Sequence, residues 1–268
     1  DVPARCRRAI HHYSQALKVL TRAYANTLRE FMSSDCAVLR LLPISGGIFA
    51  GSFGDEMPVL TKEALAAAFL SLLAPEQALL RLLEIDLCIF MGKEMPAWEA
   101  AGWKCNMDSL AAASPARSAV GVEFVRSVQL RPFGVLGAGL TADKQPHNDG
   151  PDPTEMPSVC ICDPAGLHHI QPPGGPKGAG GAAGAIYKWL GIDQDEKFSD
   201  DVIAAVTRPG DAKHHQYALR AVRLSICMPH KELTTRPPFA SRLTTCAVEV
   251  SPARASQKRV SCCSIAMR

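Results

Sequence analysis

The sequence lacks the features that would assign it to a membrane, to nucleic acid or to an exported fold. No run of about 18 apolar residues occurs, so we do not expect a membrane-spanning helix or a membrane partner. Basic and acidic residues are scattered and nearly balanced, and the resulting net charge of +3 does not indicate specific nucleic-acid binding. The N-terminal residues are polar where a secretory signal would be apolar. We therefore expect an intracellular protein, cytoplasmic or nuclear, whose ten cysteines are reduced.

The first hundred residues alternate between helical and buried extended patterns. Apolar positions spaced by three or four predict an amphipathic helix over residues 9–32. Residues 37–44 and 85–91 are nearly continuous apolar runs, which are typical of buried strands. Between them, Thr61 is predicted as the N-cap of a helix over residues 62–73. This alternation predicts an α/β fold with parallel strands.

The remaining chain is less regular, and we expect a single domain over residues 1–268, since 47% hydrophobic residues can form a substantial core. The core is predicted to comprise residues of about 9–103 and 120–228. Further elements are assigned from local pattern and composition. They are a linker over 104–119, a strand over 120–130, a loop over 143–158, a helix over 199–206 with Ser199 as its N-cap, a strand over 221–227, and an irregular tail over 229–268 that is extended only at 246–250.

The stretch from residue 159 to 191 is the most informative. A short apolar run, 159–162, stops at Asp163, and residues 183–190 read as helix. The loop between them is rich in glycine, at positions 174, 175, 178, 180, 181 and 184. This glycine-rich loop leads into the N-terminus of a predicted helix. Such an arrangement favours binding of an anion, because the free backbone N–H groups and the positive end of the helix dipole point toward the anion. The stretch therefore indicates a cradle for a phosphate or diphosphate, with a flexible loop as the alternative.

Other chemistries fit the same stretch less well. Cys160 and Cys162 with His168 and His169 would offer zinc ligands, but the cysteine spacing is not that of a zinc knuckle, and buried strand cysteines are favoured instead. Lys177 follows glycine and proline without the Gly-Lys-Ser/Thr of a Walker A loop. No Gly-x-Gly-x-x-Gly opens a Rossmann unit. We therefore expect neither a metal nor a cofactor.

Three motifs together resemble macro domains. Gly-Gly-Ala-Ala-Gly-Ala-Ile-Tyr at residues 180–187 is similar to the phosphate loop of that family, and Leu-Pro-Ile-Ser-Gly-Gly-Ile-Phe-Ala-Gly at 42–51 is similar to its second loop. Pro-Gly-Asp-Ala at 209–212 resembles the Gly-acid-Ala turn before the family's next strand, here assigned to residues 221–226. The second loop comes last in the family but first here. The chain therefore resembles a circular permutant in which 159–228 would precede 9–91.

The resemblance implies a three-layer α/β/α sandwich with a mixed, mostly parallel sheet and a cleft for ADP-ribose. The implied partner is ADP-ribose or an ADP-ribosylated protein. Two glycine loops would supply N–H donors to the diphosphate from both sides. The implied ligand-binding residues are Ser45, Gly46, Gly47, Ile48, Phe49, Asp163, Gly180, Gly181, Ala182 and Gly184.

Catalysis is the alternative to binding. Macro-domain hydrolases carry an asparagine-rich turn and often an aspartate before Gly-Ala-Ile, whereas this chain has Asp163-Pro164-Ala165-Gly166 at the turn and Ala183 at the aspartate position. An ADP-ribosyl or O-acetyl-ADP-ribose hydrolase would need a substitute acid or base. Asp163 is the candidate, with His168 and His169 nearby.

Overall fold

A computed structural model describes most of the chain. It covers residues 4–44, 51–89, 94–101, 115–137, 150–151, 153, 156, 158–217 and 260–265. Within these ranges, helices α1 to α8 span Ala4–Met32, Met57–Leu70, Ala74–Leu80, Met95–Ala100, Pro115–Ser127, Leu167–Ile170, Gly181–Leu190 and Asp200–Ala205. Strands β1 to β6 span Val38–Leu41, Glu84–Cys88, Gln129–Arg131, Val159–Asp163, Ala212–Tyr217 and Val260–Ile265. A 3₁₀-helix at Gly51–Glu56 precedes α2.

The six strands form one mixed sheet in the order β3-β2-β1-β4-β6-β5. Four of the five strand pairings are parallel, and only the edge strand β5 runs antiparallel to its neighbour β6. The predicted α/β class and the predicted parallel strands are therefore confirmed. Parallel strands end at the same edge of a sheet, so the loops that follow β1 and β4, which are neighbours, leave from the same edge.

Both faces of the sheet are covered by apolar side chains. Leu39 and Leu41 of β1 belong to a buried cluster with residues of α1, α2 and α5. Val38 of β1, with Val159 and Ile161 of β4, belongs to a second cluster with residues of α7 and α8. Alternate strand residues face opposite sides. This arrangement explains why β1 and β4 read as continuous apolar runs.

Several predicted elements agree with the structure. The helix over 9–32 corresponds to α1, the runs 37–44 and 85–91 contain β1 and most of β2, and the glycine stretch has the predicted order of strand, loop and helix. The short helix over 199–206 corresponds to α8. Its N-cap residue is Ser199, although the Ser199 side chain makes no capping hydrogen bond.

Three predictions near the helix and strand boundaries were wrong. Thr61 is not an N-cap, because α2 begins at Met57 with a proline in its first turn, and Thr61 is buried inside the helix. The linker over 104–119 overlaps α5, which begins at Pro115. The tail over 229–268 is not wholly irregular, because Val260–Ile265 forms β6 between β4 and β5.

The segment 120–130 is a helix followed by a short strand, not the predicted strand. Alternating apolar residues suggested a period of two, yet Phe124, Val125 and Val128 are the buried ones, which fits a helical face. Phe124 stacks on Phe69 of α2 with ring centroids 4.1 Å apart. Tertiary packing against α2 therefore selects the helix.

Other predictions lie outside the described residues or concern the membrane. The strand at 221–227 and the extended segment at 246–250 are outside the described ranges. The described positions of the loop 143–158 form neither helix nor strand. Among the helices that the structure describes, none is long and apolar enough to cross a membrane.

Candidate functional site

Asp163 lies at the carboxyl end of β4 and is fully buried. Its Oδ2 accepts a hydrogen bond of 2.5 Å from the hydroxyl of Tyr187, which lies on α7 and is 1% exposed. Its Oδ1 is also buried and has no hydrogen-bond partner among the described residues. The carboxyl group therefore retains an unused acceptor at the edge of the sheet from which the glycine loop leaves.

Burial is the main influence on the charge of Asp163. Loss of water around the carboxylate raises the pKa of Asp163 from 3.8 to about 6, and the hydrogen bond from Tyr187 opposes this rise. A carboxyl group with such a pKa exchanges its proton close to neutral pH. Because Asp163 is fully buried, a ligand would reach Oδ1 only after the residues around it move.

The base of the glycine loop is anchored by close backbone contacts. A Cβ atom at Gly174 would lie 2.2 Å from the carbonyl oxygen of His168, and one at Gly175 would lie 2.2 Å from that of Glu196. The backbone N–H of Lys177 donates to Asp195 at 3.1 Å. Glycine is therefore required at these two positions for packing, independently of any ligand.

The tip of the loop, by contrast, faces open space. Cβ atoms at Gly178, Gly180 and Gly181 would meet nothing within 4 Å, and Gly178 and Gly181 have φ values of +78° and +59°. Gly184 differs, because its Cβ would lie 2.2 Å from the carbonyl oxygen of Ala179. The glycines thus divide into a packed group and an open group, and the open group surrounds the start of α7.

The N-terminus of α7 is available to an anion. Its N-cap, Gly180, has no side chain and makes no side-chain cap. Gly184 donates its N–H to Gly180 at 3.1 Å, so the helical ladder begins there. The N–H groups of Gly181, Ala182 and Ala183 precede this bond and have no intrahelical acceptor by their position. Predicted site residues 180, 181 and 182 therefore lie together at an exposed helix start.

Tyr187 was missed as a site residue, because the sequence showed it only as part of a motif. Once α7 begins at Gly181, Ala183 and Gly184 lie one turn before Tyr187 on the same helix face. This face of α7 runs from Tyr187, which contacts Asp163, back to the glycines at the start of the helix. No spacing in the sequence links Tyr187 to Asp163, since their contact depends on how α7 packs on β4.

The second glycine loop lies outside the described residues. Ser45, Gly46, Gly47, Ile48 and Phe49 are in this segment, so their roles remain predictions. Ile44, the last described residue before this loop, is held by a hydrogen bond of 3.1 Å that its N–H donates to the hydroxyl of Tyr24. This loop therefore begins at the edge of the sheet where β4 ends at Asp163.

The Gly-acid-Ala turn is a structural anchor. Asp211 accepts hydrogen bonds from the N–H groups of Arg208 and Thr207 and forms an ion pair with Arg22 of α1. Asn26 of α1 donates to the carbonyl oxygen of Gly210 at 2.8 Å. The strand that directly follows the turn is β5, which begins at Ala212, and the strand predicted at 221–226 lies outside the described residues.

The alternative zinc set is not brought together. Cys160 and Cys162 are buried in the cluster that includes α1, whereas His168 and His169 are exposed on α6, where their rings contact each other at 4.0 Å. Across the described ranges, no group of three metal-binding side chains meets. Two cavities, of about 590 and 390 Å³, include neither Asp163 nor the loop tip. The edge with the loop tip therefore remains the candidate site.

The chain was also compared with known proteins. Searches of protein-family models, of curated proteins and of solved structures gave no match. The chemistry of the site and the motif resemblance are therefore the features that indicate a function.

Proposed function

We propose that this chain binds ADP-ribose, or a related nucleotide diphosphate, at the carboxyl edge of its sheet. The observation that carries the proposal is the uncapped start of α7, where Gly180 and Gly181 face open space. A diphosphate fits such a site, because it needs several N–H donors at close approach and gains from the positive end of the helix dipole.

The position of the second loop supports the same ligand. Residues 45–49 follow β1, which is paired with β4, and neighbouring parallel strands lie about 4.8 Å apart. Ligands of open α/β sheets bind outside the carboxyl ends of the strands. Two glycine loops at this edge would enclose the diphosphate from both sides, and Asp163 Oδ1 would accept a hydrogen bond from a ribose hydroxyl or an adenine amino group.

The finer architecture belongs to the same proposal. Apolar clusters on both faces of the sheet support a three-layer α/β/α sandwich. The adjacency of β1 and β4, which the chain order separates, supports a permuted macro-type arrangement. In this proposal the partner is free ADP-ribose or an ADP-ribosylated protein in the cytoplasm or nucleus.

The decisive variant is Gly180→Asp. The backbone at Gly180, with φ of −111°, is in the extended region that N-cap residues adopt, so an aspartate is tolerated and caps α7 itself. Its carboxylate would occupy the free N–H groups and repel a diphosphate. We expect calorimetric titration with ADP-ribose to give micromolar affinity for the natural chain, about −8 kcal/mol. The variant should bind at least tenfold more weakly without loss of thermal stability.

Two controls separate the contributions. Gln194→Asp adds the same charge at an exposed position and should leave affinity unchanged. AMP, which lacks the diphosphate, should bind more weakly than ADP-ribose. Equal affinity of Gly180→Asp and the natural chain for ADP-ribose would exclude α7 as the phosphate site.

The second candidate function is hydrolysis of an ADP-ribosyl or O-acetyl-ADP-ribose bond. It is favoured by one observation, namely that Asp163 combines an unpartnered Oδ1 with a pKa near 6, which suits a general acid or base. Asp163→Asn keeps the acceptor for Tyr187 and removes the titrating group. If turnover exists, it should disappear in this variant while ADP-ribose binding survives, and turnover that persists would exclude Asp163 as the catalytic group.

A further inference from the structure

A second feature of the molecule is an open groove of about 590 Å³ between α1 and the end of α2. Its walls are formed mainly by one face of α1, and Ser71 closes the α2 side. Lys18, Arg22 and Arg29 all line it, and none of the described lining residues is acidic. Residues four and seven apart share a helix face, so the three cations form a single row.

Two of the three cations are already held in position. Arg22 is paired with Asp211, and Arg29 Nε lies 3.4 Å from Glu76 of α3. A guanidinium carries five N–H donors, so each arginine keeps donors for a further carboxylate. Lys18 is exposed and forms no ion pair with the residues that the structure describes. Arg22 and Arg29 are thus held in position by their ion pairs, whereas the Lys18 side chain is exposed to solvent.

The neutral lining favours a peptide over other anions. Thr21 offers a hydroxyl group, and Asn26 keeps its carbonyl oxygen and one N–H beside the bond to Gly210. Ser71 donates its hydroxyl to Ala68 and keeps acceptor lone pairs, so the lining supplies both donors and acceptors to a peptide backbone. No aromatic residue lies among the described lining residues, so stacked bases would find no platform there. The lining residues extend along α1 from Ser14 to Arg29, which is longer than the contact surface of a single small anion.

We propose that this groove binds an extended acidic peptide segment of a partner protein. At 1.5 Å per residue, Lys18 and Arg22 are separated by about 6 Å along the helix axis, and Lys18 and Arg29 by about 16 Å. An extended peptide places the side chains of residues i, i+2 and i+4 on one side at intervals of about 6.6 Å. The arrangement therefore recognises acidic residues at i, i+2 and i+4, and the length of an arginine side chain covers the remaining 3 Å or so.

The test uses a fluorescent peptide with glutamates at i, i+2 and i+4 separated by glycines, titrated with the full chain and followed by anisotropy. We expect saturable binding that weakens as salt rises from 50 to 300 mM. The double variant Lys18→Glu/Arg29→Glu should bind at least tenfold more weakly. A variant of an exposed lysine outside the groove, Lys188→Glu, should bind like the natural chain.

Three outcomes would overturn the proposal. They are no saturable peptide binding, equal binding of a peptide with glutamine in place of glutamate, and tighter binding of single-stranded oligouridylate through the same residues. ADP-ribose titration of the double variant should match that of the natural chain. Failure of the groove can therefore be told from failure of the nucleotide site.

Discussion

The hydroxyl of Tyr187 donates a hydrogen bond to the buried carboxylate of Asp163 and thereby links α7 to the end of β4. The Tyr187 ring also packs edge-on against Phe198, with centroids 5.3 Å apart. The helix that carries the loop tip is therefore fixed to the sheet by a polar contact inside an apolar cluster. Its position depends on a group that changes charge near pH 6.

Tyr187→Phe should destabilise the fold by about 1–3 kcal/mol, because it removes the hydrogen bond that the buried Asp163 carboxylate receives. Urea denaturation at pH 7 would measure this loss. In the double variant Tyr187→Phe/Asp163→Asn the effect of the phenylalanine should be smaller, since the neutral amide tolerates the missing donor better. Full additivity of the two single changes would contradict a direct interaction.

Asp163 should make the fold less stable as the pH rises from about 4 to 6. The pKa of Asp163 is raised in the folded state from 3.8 to about 6, so in this window the folded chain holds a proton that the unfolded chain has lost. The full shift corresponds to about 3 kcal/mol, most of which is reached at pH 6, and stability stops changing from this source above about pH 7. Asp163→Asn removes the titrating group, so it should gain stability over the natural chain across this window.

The measurement is denaturant unfolding of both proteins between pH 3.5 and 7.5. Gln194→Asn, which changes an exposed side chain that does not titrate, serves as the control and should keep the slope of the natural chain. Parallel stability curves for the natural chain and Asp163→Asn would show that Asp163 does not titrate in this window.

The sequence alone predicted those helices and strands whose local hydrophobic pattern determines their secondary structure. The helix α1 and the strands β1 and β4 have strong periodicity or long apolar runs, and these were predicted. The helix α5 was not, because the stacking of Phe124 on Phe69 is a long-range contact that local alternation does not reveal. β6 was missed for a related reason, since its six residues become a strand only through pairing with β4 and β5.

For the candidate site, the sequence located the glycines of the loop but did not show which of them are required by packing. It grouped all six glycines as one cradle, whereas contacts with carbonyl oxygens explain Gly174, Gly175 and Gly184. Asp163 was predicted as an acceptor, but its burial and its bond to Tyr187 depend on how α7 packs on the sheet. Such packing contacts join residues that are distant in sequence, so spacing alone does not predict them.

The two classes of glycine should respond differently to substitution. Gly184→Ala places a Cβ that would lie 2.2 Å from the carbonyl oxygen of Ala179, so the first turn of α7 must shift, and we expect a loss of about 1–3 kcal/mol. Gly180→Ser meets no neighbour within 4 Å and adds a favourable N-cap, so stability should be equal or higher. Thermal unfolding would distinguish them, and equal stability of both variants would contradict the division.

Asp211 should respond to pH in the sense opposite to Asp163. Partial burial alone would raise the pKa of Asp211, but hydrogen bonds from the N–H groups of Arg208 and Thr207, together with the charge of Arg22, outweigh burial and lower it. Its carboxylate therefore stabilises the folded chain above its ordinary pKa, and this contribution is lost as the pH falls through the lowered value.

Asp211→Ala should cost about 1–3 kcal/mol at pH 7, because two backbone donors and Arg22 lose their acceptor at the contact between the turn and α1. The cost should shrink on acidification, since below pH 3.8 the unfolded chain takes up a proton that the folded carboxylate binds only at lower pH. Denaturant unfolding at pH 7 and pH 3 measures both values, with Asp200→Ala as an exposed control. A cost that is the same at both pH values would mean that the carboxylate charge contributes nothing and that Asp211 acts only by filling the turn.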